Sequence, residues 1–210
     1  YEGGTDTSKP RALVLASASS RRIKLLSCLG VPFAVVSPQV NESLAMSDVA
    51  TVGEKTERSA LAKASWAMEH NPADVVVAGD TMVVDEGEVL GKPVDAVEAA
   101  SMLRRLRGKT HQVVTGLAVL RRDGWTRTSH VTAVVAMRPY SDAEIEAYVA
   151  SGDSLDKAGA YGIQSRPFTP AQGISGCYLN VVGLPLCELA RLLGEAGTGL
   201  PATYECLPEE

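Results

Sequence analysis

The feature that most restricts the fold is a run of apolar residues, Val75 to Gly79, that ends in an acid, Asp80. An apolar run of this length predicts a buried strand, which we place at 74–79 with a continuation over 81–84. A second short apolar run, at 12–16, predicts another buried strand, and it leads into a segment with helical spacing. Buried strands mixed with helices predict an α/β fold.

The rest of the chain adds strands and helices to this framework. Two alternating segments, 112–120 and 126–137, predict strands that pair around the turn Arg122-Asp123-Gly124. The capping box that starts at Ser141 predicts a helix to Val149. The other predicted elements are helices at 54–69, 96–106 and 185–193, strands at 33–36, 89–90 and 179–182, and a loop-rich segment at 152–176 with one short helix. We expect a flexible segment at 1–10, one domain at 11–195 and a tail at 196–210.

Charge restricts the class of partner. The chain of 210 residues has 20 basic and 25 acidic residues, a formal net charge of -5. A protein that binds nucleic acid non-specifically usually has a basic surplus, so we expect no stable nucleic-acid partner. A small anionic ligand stays open, because a local cluster of Arg and Lys can lie inside an acidic protein.

Cysteine usage and hydropathy predict the compartment. No apolar run approaches the roughly 20 residues that span a bilayer, and the polar start of the chain is unlike a secretory signal. The three histidines have no paired spacing, which argues against a zinc site. No Cys-x-x-Cys motif is present, so we expect four reduced thiols in a cytoplasmic protein. The cysteines are Cys28, Cys177, Cys187 and Cys206.

A serine-rich turn at 17–20 lies between the first strand and the first helix, and Arg21 and Arg22 follow it. Such a turn points backbone N–H groups and hydroxyls at the partly positive start of the helix. Arginines there oppose the helix dipole, which favours acids, and a bound polyphosphate would resolve that conflict. The alternative is that Ser19 or Ser20 is only the N-cap and that both arginines are solvated.

Asp80 follows an apolar strand, at the position where open α/β sheets place ligands, and Gly79 would let a ligand approach the backbone. The alternative is an aspartate that caps a turn. If the hairpin loop has an odd number of residues, as 86–88 would give, Lys92 and Asp80 lie on the same face of the hairpin. If the loop has two residues, they lie on opposite faces. Lys92 alone is better explained as a surface lysine.

The segment from Asp156 to Gln164 contains small residues that suggest a tightly turned backbone beside a ligand, and the Gln164 amide could read a base edge. The alternative is a structural turn in which Asp156 and Lys157 pair on the surface. Glu42 and Lys63 have little signal of their own: they are interpreted as a loop acid and the wet face of a helix. His111 is interpreted as a structural histidine at the start of a strand.

Taken in order, these motifs resemble those of the Maf family of nucleotide pyrophosphatases from about Leu13 to about Leu193. Ser20 stands where that family usually has Pro, and Ala78-Gly79 reverses its usual Gly-Ala; neither departure removes a charged group. The matching segments are Ser17-Ala18-Ser19-Ser20-Arg21-Arg22, Glu42, Leu61-Ala62-Lys63-Ala64, Ala78-Gly79-Asp80-Thr81, Gly91-Lys92-Pro93, 108–116, 156–164 and 180–185.

The resemblance implies hydrolysis of nucleoside triphosphates to the monophosphate and pyrophosphate, with a divalent cation, Mg²⁺ or Mn²⁺, as house-cleaning of unwanted or modified nucleotides. It implies an ITPase-like fold: an elongated mixed sheet flanked by helices, in two lobes with a cleft between them. It is compatible with a homodimer. The alternatives are a non-catalytic nucleotide-binding regulator of cell division, after the family's historical link to septum formation, and a phosphomonoesterase.

The resemblance also implies roles for individual residues. Asp80 would accept a proton or ligate the metal, with Glu42 as a second metal-side acid. Lys63, Lys92 and Arg22 would neutralise the phosphates. Phosphate would rest on Ser17 and Ser19. Base or sugar would meet Arg21, Thr81 and Gln164, which match positions of the branch that prefers dTTP and UTP.

Overall fold

The computed structural model describes residues 12–41 and 51–199, which form a seven-stranded mixed sheet with helices on both faces. The strand order is β2-β1-β3-β5-β6-β7, and β4 pairs with β3 outside that path. The strands are β1 (Leu13–Ala16), β2 (Phe33–Val36), β3 (Val75–Asp85), β4 (Glu88–Leu90), β5 (Thr110–Arg121), β6 (Thr126–Met137) and β7 (Ala171–Ser175). The helices are α1 (Ser20–Ser27), α2 (Val52–His70), α3 (Ala96–Leu106), α4 (Asp142–Ala150), α5 (Tyr178–Val182) and α6 (Leu186–Glu195), with a 3₁₀ turn at Ala158–Ala160.

Strand β3 is the centre of the sheet and is buried on both faces, as its apolar run predicts. Val75 and Val77 pack with β1, α1 and α6, whereas Val76 and Ala78 pack with α2. β3 runs parallel to β1 and antiparallel to β5. The parallel pairing ends at Ala78, so Asp80 lies just beyond the carboxyl end of β1 although its own strand continues to Asp85.

Helix α2 crosses this sheet at Gly116, the residue of β5 that pairs with Asp80. A Cβ on Gly116 would lie 2.3 Å from the backbone carbonyl carbon of Thr56, so only glycine lets the helix rest on the strand. The helix starts with a capping box, in which Thr51 and Glu54 satisfy each other's backbone N–H groups. This close contact fixes the height of α2 above Asp80.

The two ends of the sheet have separate apolar cores, which gives the two lobes that the family resemblance implies. One end packs β1 and β3 against α1, α2 and α6. The other end packs the far halves of β3, β5 and β6 against α3 and α4, with Leu103, Tyr140 and Ile145 at its centre. The predicted class, a mixed sheet flanked by helices with a cleft, is therefore confirmed.

Two predicted elements are wrong. Leu179 to Val182 lies in helix α5 and not in a strand, because a short apolar run does not distinguish the two and here Gly183, at φ 122°, ends a helical turn. Ala171–Ser175, predicted as loop, is the edge strand β7. Among the described strands it pairs with β6 alone, and a run with so few apolar residues carries little strand signal.

The hairpin after β3 has the two-residue loop, since Asp85 pairs with Glu88 and only Glu86 and Gly87 lie between them. Both loop residues have positive φ, 52° and 86°, as a tight hairpin requires. The ladder ends at Leu90, so the pairing register does not determine the direction of Lys92.

The prediction of four reduced cysteines is wrong at Cys187, which is disulfide-bonded. Cys28 and Cys177 are not disulfide-bonded. A disulfide depends on Cα atoms approaching to about 4.4–6.8 Å, which sequence spacing does not show. Within 12–41 and 51–199, no helix is long and apolar enough to cross a membrane.

Candidate active site

A cavity of about 1560 Å³ opens between the two lobes, and nine of the ten predicted site residues line it. The tenth, Glu42, lies outside the described residues. Segments distant in the chain thus converge on one hollow, with cations and an acid on the same walls. The nine are Ser17, Ser19, Arg21, Arg22, Lys63, Asp80, Thr81, Lys92 and Gln164.

The start of α1 forms one wall. Ser19 is the N-cap, and its hydroxyl accepts from the backbone N–H of Arg22 at 3.4 Å. The buried Ser17 hydroxyl accepts from the N–H of Ser19 at 3.1 Å, which holds the turn in shape. The first helical turn contains no acid, so the helix start presents only partial positive charge and two arginines to the cavity. That is the setting in which a phosphate binds.

The two arginines of this turn diverge. Arg22 donates from Nε to the carbonyl oxygen of Gly183 at 2.9 Å and from Nη2 to the Thr81 hydroxyl at 3.0 Å. Arg21 pairs with Asp156 on the facing wall at 3.4 Å. A Cβ on Gly79 would lie 3.4 Å from Nε of Arg22, an ordinary van der Waals distance, so the Arg22 guanidinium lies next to this backbone without requiring glycine there.

A buried ion pair forms the floor. Lys63 Nζ donates to Asp80 Oδ1 at 2.7 Å, and the two side chains are 10% and 11% exposed. The interpretation of Lys63 as the wet face of a helix is wrong, because it lies between Ala60 and Ala64 on the buried stripe of α2. The position of Lys63 at helical spacing from apolar residues is the feature of the sequence that indicates its burial. Among the described residues no hydrogen bond uses Asp80 Oδ2, so this oxygen can accept a proton or ligate a cation.

Lys92 lies in the exposed loop after β4, on the rim of the same cavity. The loop is tied to the turn at 158–160, which belongs to the same lobe, by a hydrogen bond from the N–H of Gly159 to the carbonyl of Gly91 at 3.0 Å. Gly159 has φ 68° and packs directly on Val83, which makes the turn at 158–160 tight, as the small residues predict. Lys92 and Asp80 therefore line one hollow despite the even loop length.

The facing wall is built on Lys157, whose ammonium bonds Asp156 at 2.6 Å and Asp153 at 2.8 Å. Asp156 and Lys157 therefore do pair, as the structural alternative expected, with Asp156 66% exposed and Lys157 only 12% exposed. Burial raises the pKa of Asp156, but the hydrogen bond and charge of Lys157 outweigh it and lower that pKa. Tyr148 donates to Asp153 and accepts from the N–H of Gly162, which holds the turn before Gln164.

Sequence reasoning missed Tyr148, Lys157 and Arg166, which all contact the cavity. Lys157 and Arg166 lie in a loop, where the absence of periodicity gives no signal of direction, whereas Tyr148 is a buried residue of helix α4. His111 lies in the core, where its Nε2 meets the Tyr161 hydroxyl at 2.7 Å. Burial lowers the pKa of His111 to about 4, so it is neutral at pH 7 and structural, as predicted.

The residues of the cavity fit a divalent cation bound together with phosphates. The described segments contain no group of three His, Cys, Asp or Glu residues that could hold a metal by itself. Mg²⁺ is normally held by one or two carboxylates together with substrate phosphates and water. Asp80 Oδ2, on a wall that also has phosphate-binding groups, supplies one such carboxylate oxygen.

Comparison with known proteins identifies the relatives of this chain. The family model described as Maf-like protein matches residues 12–196. A dTTP/UTP pyrophosphatase of Symbiobacterium thermophilum is 46% identical over 88% of this chain and 94% of its own. This chain is also similar to proteins of the same name from two other organisms. That of Moorella thermoacetica is 46% identical over 88% of this chain and 95% of its own length. That of Dictyoglomus thermophilum is 41% identical over 90% of this chain and 98% of its own length.

Solved structures resemble the chain more distantly. A HAM1 protein from Coxiella burnetii has a TM-score of 0.43 at 15% identity, over 62% of this chain and 74% of that one. A nucleoside-triphosphatase of Mycobacterium abscessus, titled a dITP/XTP pyrophosphatase, has a TM-score of 0.39 at 18% identity, over 61% and 75%.

Proposed function

Since the chain belongs to the Maf-like protein family, we propose that it hydrolyses nucleoside triphosphates, dTTP and UTP foremost, to the monophosphate and pyrophosphate. The observation that supports this most directly is the Lys63–Asp80 pair in a cavity lined by cations. A protein that only bound nucleotides would need the cations but not a buried carboxylate. The proposed reaction is the removal of unwanted or modified nucleotides.

In this reaction a water molecule attacks the α-phosphorus and its proton passes to Asp80. One P–O bond forms from the water, and the bond from the α-phosphorus to the oxygen that bridges to the β-phosphorus breaks, so pyrophosphate leaves with that oxygen. The ammonium of Lys63 holds Oδ1 of the Asp80 carboxylate, which leaves Oδ2 to accept the proton. Lys63, Lys92 and Arg22 offset the charge on the phosphates, and Arg21, whose exposed pair with Asp156 costs little to give up, meets the base or sugar.

The phosphates rest on the start of α1, where Ser17 and Ser19 shape the turn and Arg22 lines the wall. Gln164, on the facing wall, and Thr81 meet the base or sugar. A divalent cation, Mg²⁺ or Mn²⁺, would be held by Asp80 and Glu42 and would neutralise phosphate oxygens when bound. All other contributions to substrate binding and catalysis come from the side chains named in this and the preceding paragraph.

The test is a panel of natural and modified triphosphates with Mg²⁺ or Mn²⁺, scored separately for pyrophosphate, orthophosphate and monophosphate. We expect pyrophosphate and monophosphate in equal amounts, fastest from dTTP and UTP, and no turnover after chelation by EDTA. Release of orthophosphate alone would make the protein a phosphomonoesterase. Tight binding without any product would make it a nucleotide-binding regulator.

We further propose a cytoplasmic protein without a stable nucleic-acid partner, as expected from the sequence, and a homodimer, with which the family resemblance is compatible. The compartment follows from the substrate, since the proposed reaction needs a pool of nucleoside triphosphates. Sedimentation equilibrium measures the assembly, and fractionation of cells measures the compartment. A monomer at micromolar concentration or recovery outside the cytoplasm would contradict these two proposals.

A further inference from the structure

A chain of hydrogen bonds runs from the cavity wall into the core behind Thr81. Arg22 donates from Nη2 to Thr81 Oγ1 at 3.0 Å, and Thr81 Oγ1 lies 2.9 Å from Thr115 Oγ1. Thr115 Oγ1 donates to the backbone carbonyl of Asn180 at 3.0 Å. Thr115 and Asn180 are completely buried, whereas Thr81 lines the cavity.

The direction of each hydrogen bond follows from counting protons. A hydroxyl has one proton and two lone pairs, and a carbonyl oxygen only accepts. The Thr115 proton is used on the Asn180 carbonyl, so in the contact between the two threonines Thr81 must be the donor. Arg22 takes one lone pair of Thr81. The Thr81 hydroxyl therefore offers a ligand in the cavity one lone pair and no proton.

The Asn180 carbonyl, at the end of this series of hydrogen bonds, needs the Thr115 hydroxyl as its donor. Helix α5 ends two residues after Asn180, and the N–H groups of Gly183 and Leu184 both donate to Leu179 instead. Turning the Thr115 hydroxyl away would leave a buried carbonyl without a partner, which is costly. The Asn180 side chain is itself anchored, since Nδ2 donates to the Val113 carbonyl at 2.8 Å.

We propose that Thr115 is a positioning residue that holds the Thr81 hydroxyl as an acceptor only. Thr81 then recognises a hydrogen-bond donor of the nucleoside, a base N–H or a sugar O–H, and rejects an acceptor such as a phosphate oxygen. The inference rests on the proposed function, and it concerns substrate choice. Uracil and thymine present an N–H at the ring position where cytosine has a bare nitrogen, so an acceptor-only group favours UTP over CTP.

The variant that tests this is Thr115→Val, which keeps the shape of a buried strand residue and removes its hydroxyl. Thr81 then loses its acceptor, and its proton is free to turn to the cavity. Thr115→Ser keeps the hydroxyl and is the conservative rescue. The matched control is Thr56→Val, which removes another fully buried hydroxyl that donates to a backbone carbonyl, that of Gly53 at 2.7 Å, away from the cavity wall.

The readout is the ratio of kcat/KM for UTP to that for CTP, with dUTP and 3′-deoxy-UTP as arms that report on the sugar hydroxyls. Dissociation constants for the same nucleotides by calorimetry give the preference independently of turnover. We expect Thr115→Val to reduce the preference for the donor-bearing nucleotide about tenfold, the effect of one unmatched buried hydrogen bond. Thr115→Ser and Thr56→Val should keep the wild-type ratio.

A change in the UTP to CTP ratio supports a base N–H as the donor, and a change confined to the deoxy analogues supports a sugar O–H. Equal ratios for wild type and Thr115→Val in all arms, in binding as in turnover, overturn the inference. Absence of pyrophosphate from the wild-type protein overturns the proposed function instead, and the binding ratios still decide the role of Thr115. Thermal unfolding of each variant separates altered preference from loss of fold.

Discussion

At the scale of single residues, Asp80 combines burial with a lysine partner and one oxygen available to the cavity. Asp80→Asn keeps the shape and removes the proton acceptor, so we expect kcat to fall about a hundredfold or more. Glu86→Gln, in the exposed turn of the same hairpin, is the matched control and should keep full activity. Pyrophosphate release at a near-normal rate by folded Asp80→Asn would remove this residue from the reaction.

The burial of His111 leads to a prediction of how the free energy of unfolding depends on pH. Its pKa is about 4 in the folded protein, because burial disfavours the charged ring, and about 6.5 in the unfolded chain. Between these values the unfolded state binds more protons than the folded state. The contribution of His111 to the free energy of unfolding is therefore fully present above pH 6.5 and is lost as the pH falls toward 4. The loss amounts to roughly 3 kcal/mol.

Urea unfolding between pH 4.5 and 7.5 measures this dependence. His111→Gln should flatten the curve in that window, and His70→Gln, at the exposed end of α2, should leave the slope as it is. A slope that persists in His111→Gln would mean that other groups cause the acid sensitivity. Tyr161, which shares a hydrogen bond with His111, has its pKa raised by burial and stays neutral throughout this range.

At the scale of elements, the contact between α2 and β5 determines where Lys63 meets Asp80. Gly116→Ala would place a Cβ 2.3 Å from the backbone of Thr56, which a rigid helix cannot avoid except by moving off the sheet. We expect a loss of about 1–3 kcal/mol in the free energy of unfolding, together with reduced kcat because the ion pair lengthens.

Gly173→Ala is the control for that change, because Gly173 also lies in a strand and a Cβ there meets nothing within 4 Å. Chemical denaturation and pyrophosphate release measure the two effects. If Gly116→Ala were as stable and as active as Gly173→Ala, the helix would not be held by this contact.

At the scale of the whole molecule, the cavity lies between two lobes that are joined by the sheet and by contacts such as Arg21–Asp156. A nucleotide bound there contacts both lobes and stabilises the folded state by mass action. A non-hydrolysable UTP analogue at 100 times its Kd should add about 2.7 kcal/mol, which raises Tm by several degrees.

Differential scanning calorimetry with and without the analogue measures this shift. Lys92→Ala should reduce it, because Lys92 is on the cavity rim, whereas Lys109→Ala, an exposed lysine paired with Glu86, should not. An unchanged Tm at saturating analogue would show that the ligand does not bind in this cavity.

The sequence by itself determined what local patterns control: the buried strand β3, the capped helix α4, the serine turn before α1, and the ordered motifs of the family. These depend on neighbours along the chain, whose side-chain periodicity and capping are visible in a string of letters. The same motifs named nine residues that line the cavity, because a family pattern records which distant segments converge.

Only the tertiary structure decided the rest. It buried Lys63 against Asp80, formed α5 from an ambiguous run, recruited β7 as an edge strand and bonded Cys187 in a disulfide. It also set the proton direction from Thr81 through Thr115 to the Asn180 carbonyl. Each of these depends on a partner far away in the chain, and no local propensity specifies which groups the packed sheet and helices bring within hydrogen-bond distance.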